Sequence, residues 1–110
     1  MTKVTITKRN NKIFCVECDG HTNYGEKGED IVCAALSSVV QTALLGLLVV
    51  ASVNVDIARN DEDGYLKFSL PQNLNSTEAD KCEVILQTML CGISDLHTGF
   101  SDFIELEVKN

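Results

Sequence analysis

Basic residues are scarce in this chain. Nine Lys and Arg stand against sixteen Asp and Glu in 110 residues, a formal net charge of −7, and the nine are scattered. A phosphate backbone is held by clustered Lys and Arg, so nucleic acid is excluded as a partner. A basic partner suits the chain better, although solubility is the plainer meaning of the acidity. A disulfide framework is also missing, because five Cys is an odd count and their spacing forms no pattern. No signal-peptide pattern opens the sequence, and together these point to a reducing compartment, the cytoplasm. Charge is absent altogether from Ile31 to Val55, a run long enough to cross a bilayer. Against a membrane span, Ser37, Ser38, Gln41 and Thr42 interrupt the run, Asp30 and Asp56 bracket it, and no basic cluster marks a cytoplasmic side. A central helix, buried in the core or partly in a subunit interface, is expected instead. Repeats and linkers are missing too.

What is present is the balance of an ordinary globular protein, with 45% apolar and 23% charged residues. The length suits one domain over residues 1–110 with one core, and leaves no room for a second catalytic domain.

Thr2 to Lys8 alternates, with Val4 and Ile6 on one face. After the turn signal Arg9-Asn10-Asn11-Lys12 comes Ile13 to Cys18, predicting a hairpin. Asp19 to Asp30 holds Gly20, Gly25 and Gly28 among polar residues and is expected to be a mobile loop. Asp30 then reads as the N-cap of a helix that ends near Ala51. Val53, Val55 and Ile57 alternate, Asn60 to Gly64 turns the chain, and Leu66, Phe68 and Leu70 return it as a second hairpin. Pro71 to Ser76 is a loop. Ala79, Cys82, Leu86, Met89, Leu90, Ile93 and Leu96 recur at helical spacing up to Gly99, and Ile104, Leu106 and Val108 make a last strand. The order β-β-α-β-β-α-β predicts an α+β fold, a layered sheet of about five strands with two long helices.

Chemistry concentrates at one helix start. With Asp30 as cap, Cys33 falls at the third helical position, where the dipole and unsatisfied N–H groups favour a thiolate and could hold an oxyanion. His21 lies twelve residues earlier at the head of the glycine segment, available as a base if the chain folds back. The bland alternative is a Cys that serves as a small buried hydrophobe. Asp30 either caps the helix or orients His21, with capping preferred from the spacing. Ser37, four residues past Cys33 and so on the same helix face, either hydrogen-bonds near the site or eases close packing.

Cys15 and Cys18, with His21 and Cys33, raise the question of zinc. Residues three apart in a strand face opposite ways, whereas zinc sites take such pairs from tight turns, so no metal is expected. A thioredoxin-like role fails because its motif should open a helix. Cys82 and Cys91 occupy ordinary helical positions, Met89 belongs to the apolar stripe, and no cofactor is implied.

The segment from Gly20 to Ser37, GHTNYGEKGEDIVCAALS, resembles the signature of the ribosomal-processing cysteine protease Prp family: a Gly-His pair, a loop with Tyr24, Gly25 and Gly28, and an Asp-Ile-Val-Cys-Ala helix start. Length and element order agree across nearly the whole chain, while Thr22 departs from the Ala of many relatives. The resemblance implies a homodimeric cysteine endopeptidase that removes an N-terminal extension from ribosomal protein twenty-seven of the large bacterial subunit. It assigns catalysis to His21 and Cys33, support to Asp30 and Ser37, and a substrate loop to Gly20, Tyr24, Gly25 and Gly28. It also implies an apolar groove, since family cleavage sites carry bulky apolar residues before the cut and a small residue after it. His21 to Glu29 would form a lid over bound peptide. The rival expectation is a non-catalytic acidic dimer that binds a basic ribosomal protein or assembly factor.

Overall fold

In the computed structural model, residues 1–20 and 29–110 are described, with only the backbone given for residues 29 and 30. Strands β1 (Thr2–Arg9) and β2 (Lys12–Asp19) form the first hairpin, closed at Asn10 and Asn11, which take φ of 54° and 65°. Two positive φ values are what a tight hairpin matching the strand twist requires, and Asn tolerates them. Helix α1 (Glu29–Leu45) continues without a break into a wider π turn at Gly46–Val50. Then come β3 (Asp56–Asn60), β4 (Tyr65–Ser69), α2 (Ser76–Gly99) and β5 (Ile104–Lys109).

The five strands form one sheet in the order β3-β4-β2-β1-β5, antiparallel except where β5 runs parallel to β1. The fold is α+β, in the expected element order. Cross-strand register stacks Val4 on Cys18 and Leu66, and Ile6 on Val16 and Phe68. These residues all lie on one face, which packs with Val32, Leu36, Val40 and Leu47 of the first helical segment and Cys82, Leu86, Met89 and Ile93 of α2. Both helices therefore cover the same face and the architecture has two layers. A fully buried Leu, Ile or Phe contributes about 1.5–3 kcal/mol, so this seam dominates the fold's stability.

Helix α2 starts at a capping box: the Glu78 N–H donates to Asn75 Oδ1 at 2.8 Å, and the Asn75 N–H donates to Glu78 Oε1 at 3.0 Å.

Two boundaries differ from expectation, and the burial of one helix is uneven. Asp30 is itself helical, after an equally helical Glu29, so it lies inside the first helix rather than at its cap. Val53 and Val55 are buried in the core, but β3 starts only at Asp56. Leaving the π turn through Ser52 at φ 56°, the chain ties the Val53 N–H to the Leu47 carbonyl at 3.0 Å instead of joining the sheet. Finally, the charge-free helix is not buried all round. Val32, Leu36, Val40 and Leu47 are in the core, whereas Ile31 is 75% exposed and Val49 71% exposed. By length and composition the segment Ile31–Val50 could cross a membrane, but its inner face is packed on the sheet.

Candidate active site

Cys33 is the fifth described residue of α1, further into the helix than the position expected from the sequence. It is half-buried and meets the sheet at the start of β1, where its Sγ lies 3.5 Å from Thr2 Oγ1. The same Thr2 hydroxyl donates to the Gly20 carbonyl oxygen at 2.8 Å.

Gly20 closes the arrangement from the end of β2. Its N–H donates to the Gly64 carbonyl at 3.2 Å, and its φ of +102° is one that only glycine adopts readily. A Cβ placed there would sit 2.8 Å from the Met1 carbonyl oxygen, so backbone conformation and space both demand glycine.

Cys33 opens onto a cavity of about 320 Å³ between α1 and the β2–β4 end of the sheet. Leu36, Val40 and Leu66 give it apolar walls, while Ser37, Gln41 and Asp61 bring polar groups to it. Ser37 is exposed and accepts a hydrogen bond from Gln41 Nε2 at 2.6 Å, one turn further along the helix. At the cavity's edge Tyr65 donates to Glu17 Oε2 at 2.7 Å, and this bond pushes the phenol up to about 12, with burial adding to it.

The other thiols differ in setting. Burial pushes Cys18, which also lines the cavity, up to about 12, with Glu17 adding to the shift. Burial likewise raises Cys15, against the opposing pull of Lys67, and Cys82. Cys15 and Cys18 point to opposite faces of β2, since Cys18 pairs in register with Val4 and Leu66 and Cys15 with Thr7 and Ser69. Among the described residues no group of three or more His, Cys, Asp and Glu is placed to hold a metal ion.

Of the residues singled out from the sequence, the structure brings together Cys33, Ser37 and Gly20. His21, Tyr24, Gly25, Gly28 and the lid expected over His21 to Glu29 lie outside the described residues, save the backbone of Glu29. Thr2, Cys18, Gln41 and Tyr65 were not anticipated. For Cys18 a signal existed: its alternation with Val16 puts it on the core face, near the strand end that leads to Gly20.

The model of the cysteine protease Prp family matches residues 1–105. The chain belongs to the cysteine protease Prp family. It is 32% identical over 110 residues to the ribosomal processing cysteine protease Prp of Staphylococcus aureus (strain Mu50 / ATCC 700699), covering 99% of this chain and 100% of that one. Crystal structures of the S. aureus protease include one with a substrate peptide, at a TM-score of 0.87 and 31% identity, covering 99% of this chain and 100% of the other. Another carries a covalently linked product peptide, at a TM-score of 0.83 and 32% identity with the same coverage. Membership makes this chain a cysteine protease, and the fold of the Prp family is the two-layer arrangement described above.

Proposed function

We propose that this chain is a cytoplasmic endopeptidase, acting as one domain over residues 1–110, that removes the N-terminal extension of large-subunit ribosomal protein twenty-seven, with Cys33 as nucleophile and His21 as base. The observation that carries the proposal is the position of the Cys33 sulfur, half-buried at a cavity with apolar walls and hydrogen-bonded to a sheet residue. The peptide bound covalently to the S. aureus relative supports a covalent route.

In this mechanism His21 takes the thiol proton and Cys33 Sγ attacks the scissile carbonyl carbon. The imidazolium then protonates the departing amine, and water hydrolyses the thioester to free the acid and regenerate the thiol. Leu36, Val40 and Leu66 offer the surface against which a bulky apolar residue before the cut would lie. Ser37 and Asp30 act in support. Such chemistry needs no metal or cofactor.

The working form is a homodimer. Val49, Val50 and Val84 are exposed by 71%, 67% and 67% on the side of the helical layer away from the sheet. On that layer a groove of about 540 Å³ runs between α1 and α2, lined by Val39, Gly46, Val84, Ile85 and Gly92. An apolar area of this kind calls for a covering surface, and a second copy supplies a self-complementary one.

Incubating the purified protein with a peptide that spans the apolar extension, and following its mass, tests the function. Cleavage after the apolar residues is expected, abolished in Cys33→Ala and nearly so in His21→Ala. A folded protein that leaves the peptide intact would overturn the protease assignment for this substrate. Retention of the intact peptide would then support the binding role.

A further inference from the structure

We propose that Thr2 is a positioning residue, whose single hydroxyl bridges the Cys33 sulfur and the Gly20 carbonyl and so sets where the sulfur stands relative to that peptide. The inference rests on Cys33 being the nucleophile. Thr2 is 6% exposed, which is unusual for a polar side chain, and a buried hydroxyl is retained where both its donor and acceptor sides are used. Here they are. The O–H donates to Gly20 at 2.8 Å, which leaves an oxygen lone pair facing Cys33 Sγ at 3.5 Å.

The support behind Thr2 is rigid. Its own N–H donates to the Phe103 carbonyl at 3.0 Å, and β1 is paired on both sides, with β2 and β5. Gly20 is held a second time through Gly64. The hydroxyl is thus fixed to the sheet, and through it α1 and the end of β2 are kept in one register at the sulfur. The carbonyl that Thr2 holds belongs to the peptide bond between Gly20 and His21, so the bridge lies next in the chain to the candidate base.

The bridge has a second setting. One hydroxyl has one proton. While Cys33 is a thiol, the Thr2 oxygen accepts from S–H; when the thiol has lost its proton, rotation about the C–O bond turns the O–H onto the sulfur. The charge-assisted bond gained is stronger than the neutral one given up to Gly20. Thr2 therefore follows the sulfur through the reaction without leaving it.

Thr2→Val keeps the shape and removes the bridge, and Thr2→Ser restores the hydroxyl. In the valine variant kcat should fall about tenfold with KM within about twofold, because small misplacements of a reacting group cost rate rather than binding. Serine should recover kcat to within about threefold of wild type. Alkylation of Cys33 by iodoacetamide at neutral pH, mapped by mass, should slow about threefold in the valine variant and recover in serine. Thermal melting of all three proteins sets a working temperature at which each is folded. A valine variant with wild-type kcat, a serine variant as impaired as valine, or alkylation unchanged by valine would each overturn the proposal. If wild type fails to cut the peptide, the assigned cleavage fails by itself, and alkylation still decides whether Thr2 acts on the sulfur.

Discussion

Two surfaces of the first helix differ in a way composition alone does not reveal. On one side Cys33, Ser37 and Gln41 face a cavity of about 320 Å³, with Thr2 and Gly20 opposite. On the other side Val39 and Gly46 line the open groove shared with α2, and the π turn leaves Val49 and Val50 exposed. Polar groups at the first surface are partnered by named atoms: Thr2 with Gly20 and Cys33, Ser37 with Gln41. At the second surface there is mainly apolar area. Under the proposed function the same charge-free stretch serves two purposes, since a helix that packs on a sheet, presents a thiol and meets a second copy has no face left for charge.

The sharpest way to break this division is to alter one surface and read the other. Cys33→Ala should lower peptide cleavage by more than about a thousandfold, as loss of a nucleophile does, and leave the oligomeric mass unchanged. Val84→Glu acts on the opposite surface. A carboxylate forced into an apolar interface loses its hydration without gaining a partner, so dimer dissociation should strengthen by at least about a hundredfold, or ~2.7 kcal/mol. Sedimentation of the variant should then give a monomer at micromolar concentration. An unchanged dimer mass would place the interface elsewhere, and a monomeric wild type would remove the dimer.

Gly20→Ala tests the polar surface by strain rather than chemistry. At φ +102°, with the Met1 carbonyl oxygen 2.8 Å from the new Cβ, the variant should lose about 1–3 kcal/mol of stability. It should lose activity as well, because relief of the clash moves the carbonyl that Thr2 holds. A denaturant midpoint equal to wild type would mean that this strand end is looser than the structure indicates.

Much of the fold was legible because it is local. The alternation of Val4 with Ile6 and of Leu66 with Phe68, and the helical spacing from Cys82 to Ile93, each record a buried face within a few residues. The π turn was not legible, because it depends on how the chain leaves α1, with the Ala51 N–H reaching the Gly46 carbonyl, while Gly46 lies close against Ile85 of α2. Nor was the late start of β3, since buried Val53 and Val55 look like strand residues whether or not a ladder holds them. At the site, Cys33 and Ser37 share a helix face by spacing alone. Thr2 was hidden, since its contact with Cys33 spans 31 residues and crosses between layers. Asp30 shows the limit of a cap read from spacing: Glu29 before it is already helical, which changes the role of the position.

Within the cavity itself the Cys18 thiol can be titrated, and here the expected effect is smallest. Burial, with Glu17 adding to it, pushes Cys18 up to about 12, whereas an unfolded thiol ionises near about 8.5. The folded chain therefore keeps this proton over a range of pH in which the unfolded chain releases it. The contribution of Cys18 to stability is whole below about pH 8.5 and is lost as pH rises toward the folded value, with a slope of at most about 1.4 kcal/mol per pH unit. Cys18→Val removes the titrating group and retains an apolar side chain, so its thermal midpoint should fall less than that of wild type between pH 8 and pH 10. Cys15 and Cys82, raised by burial in the same direction, preserve part of the slope in both proteins. Parallel curves would mean that water reaches Cys18 through the cavity.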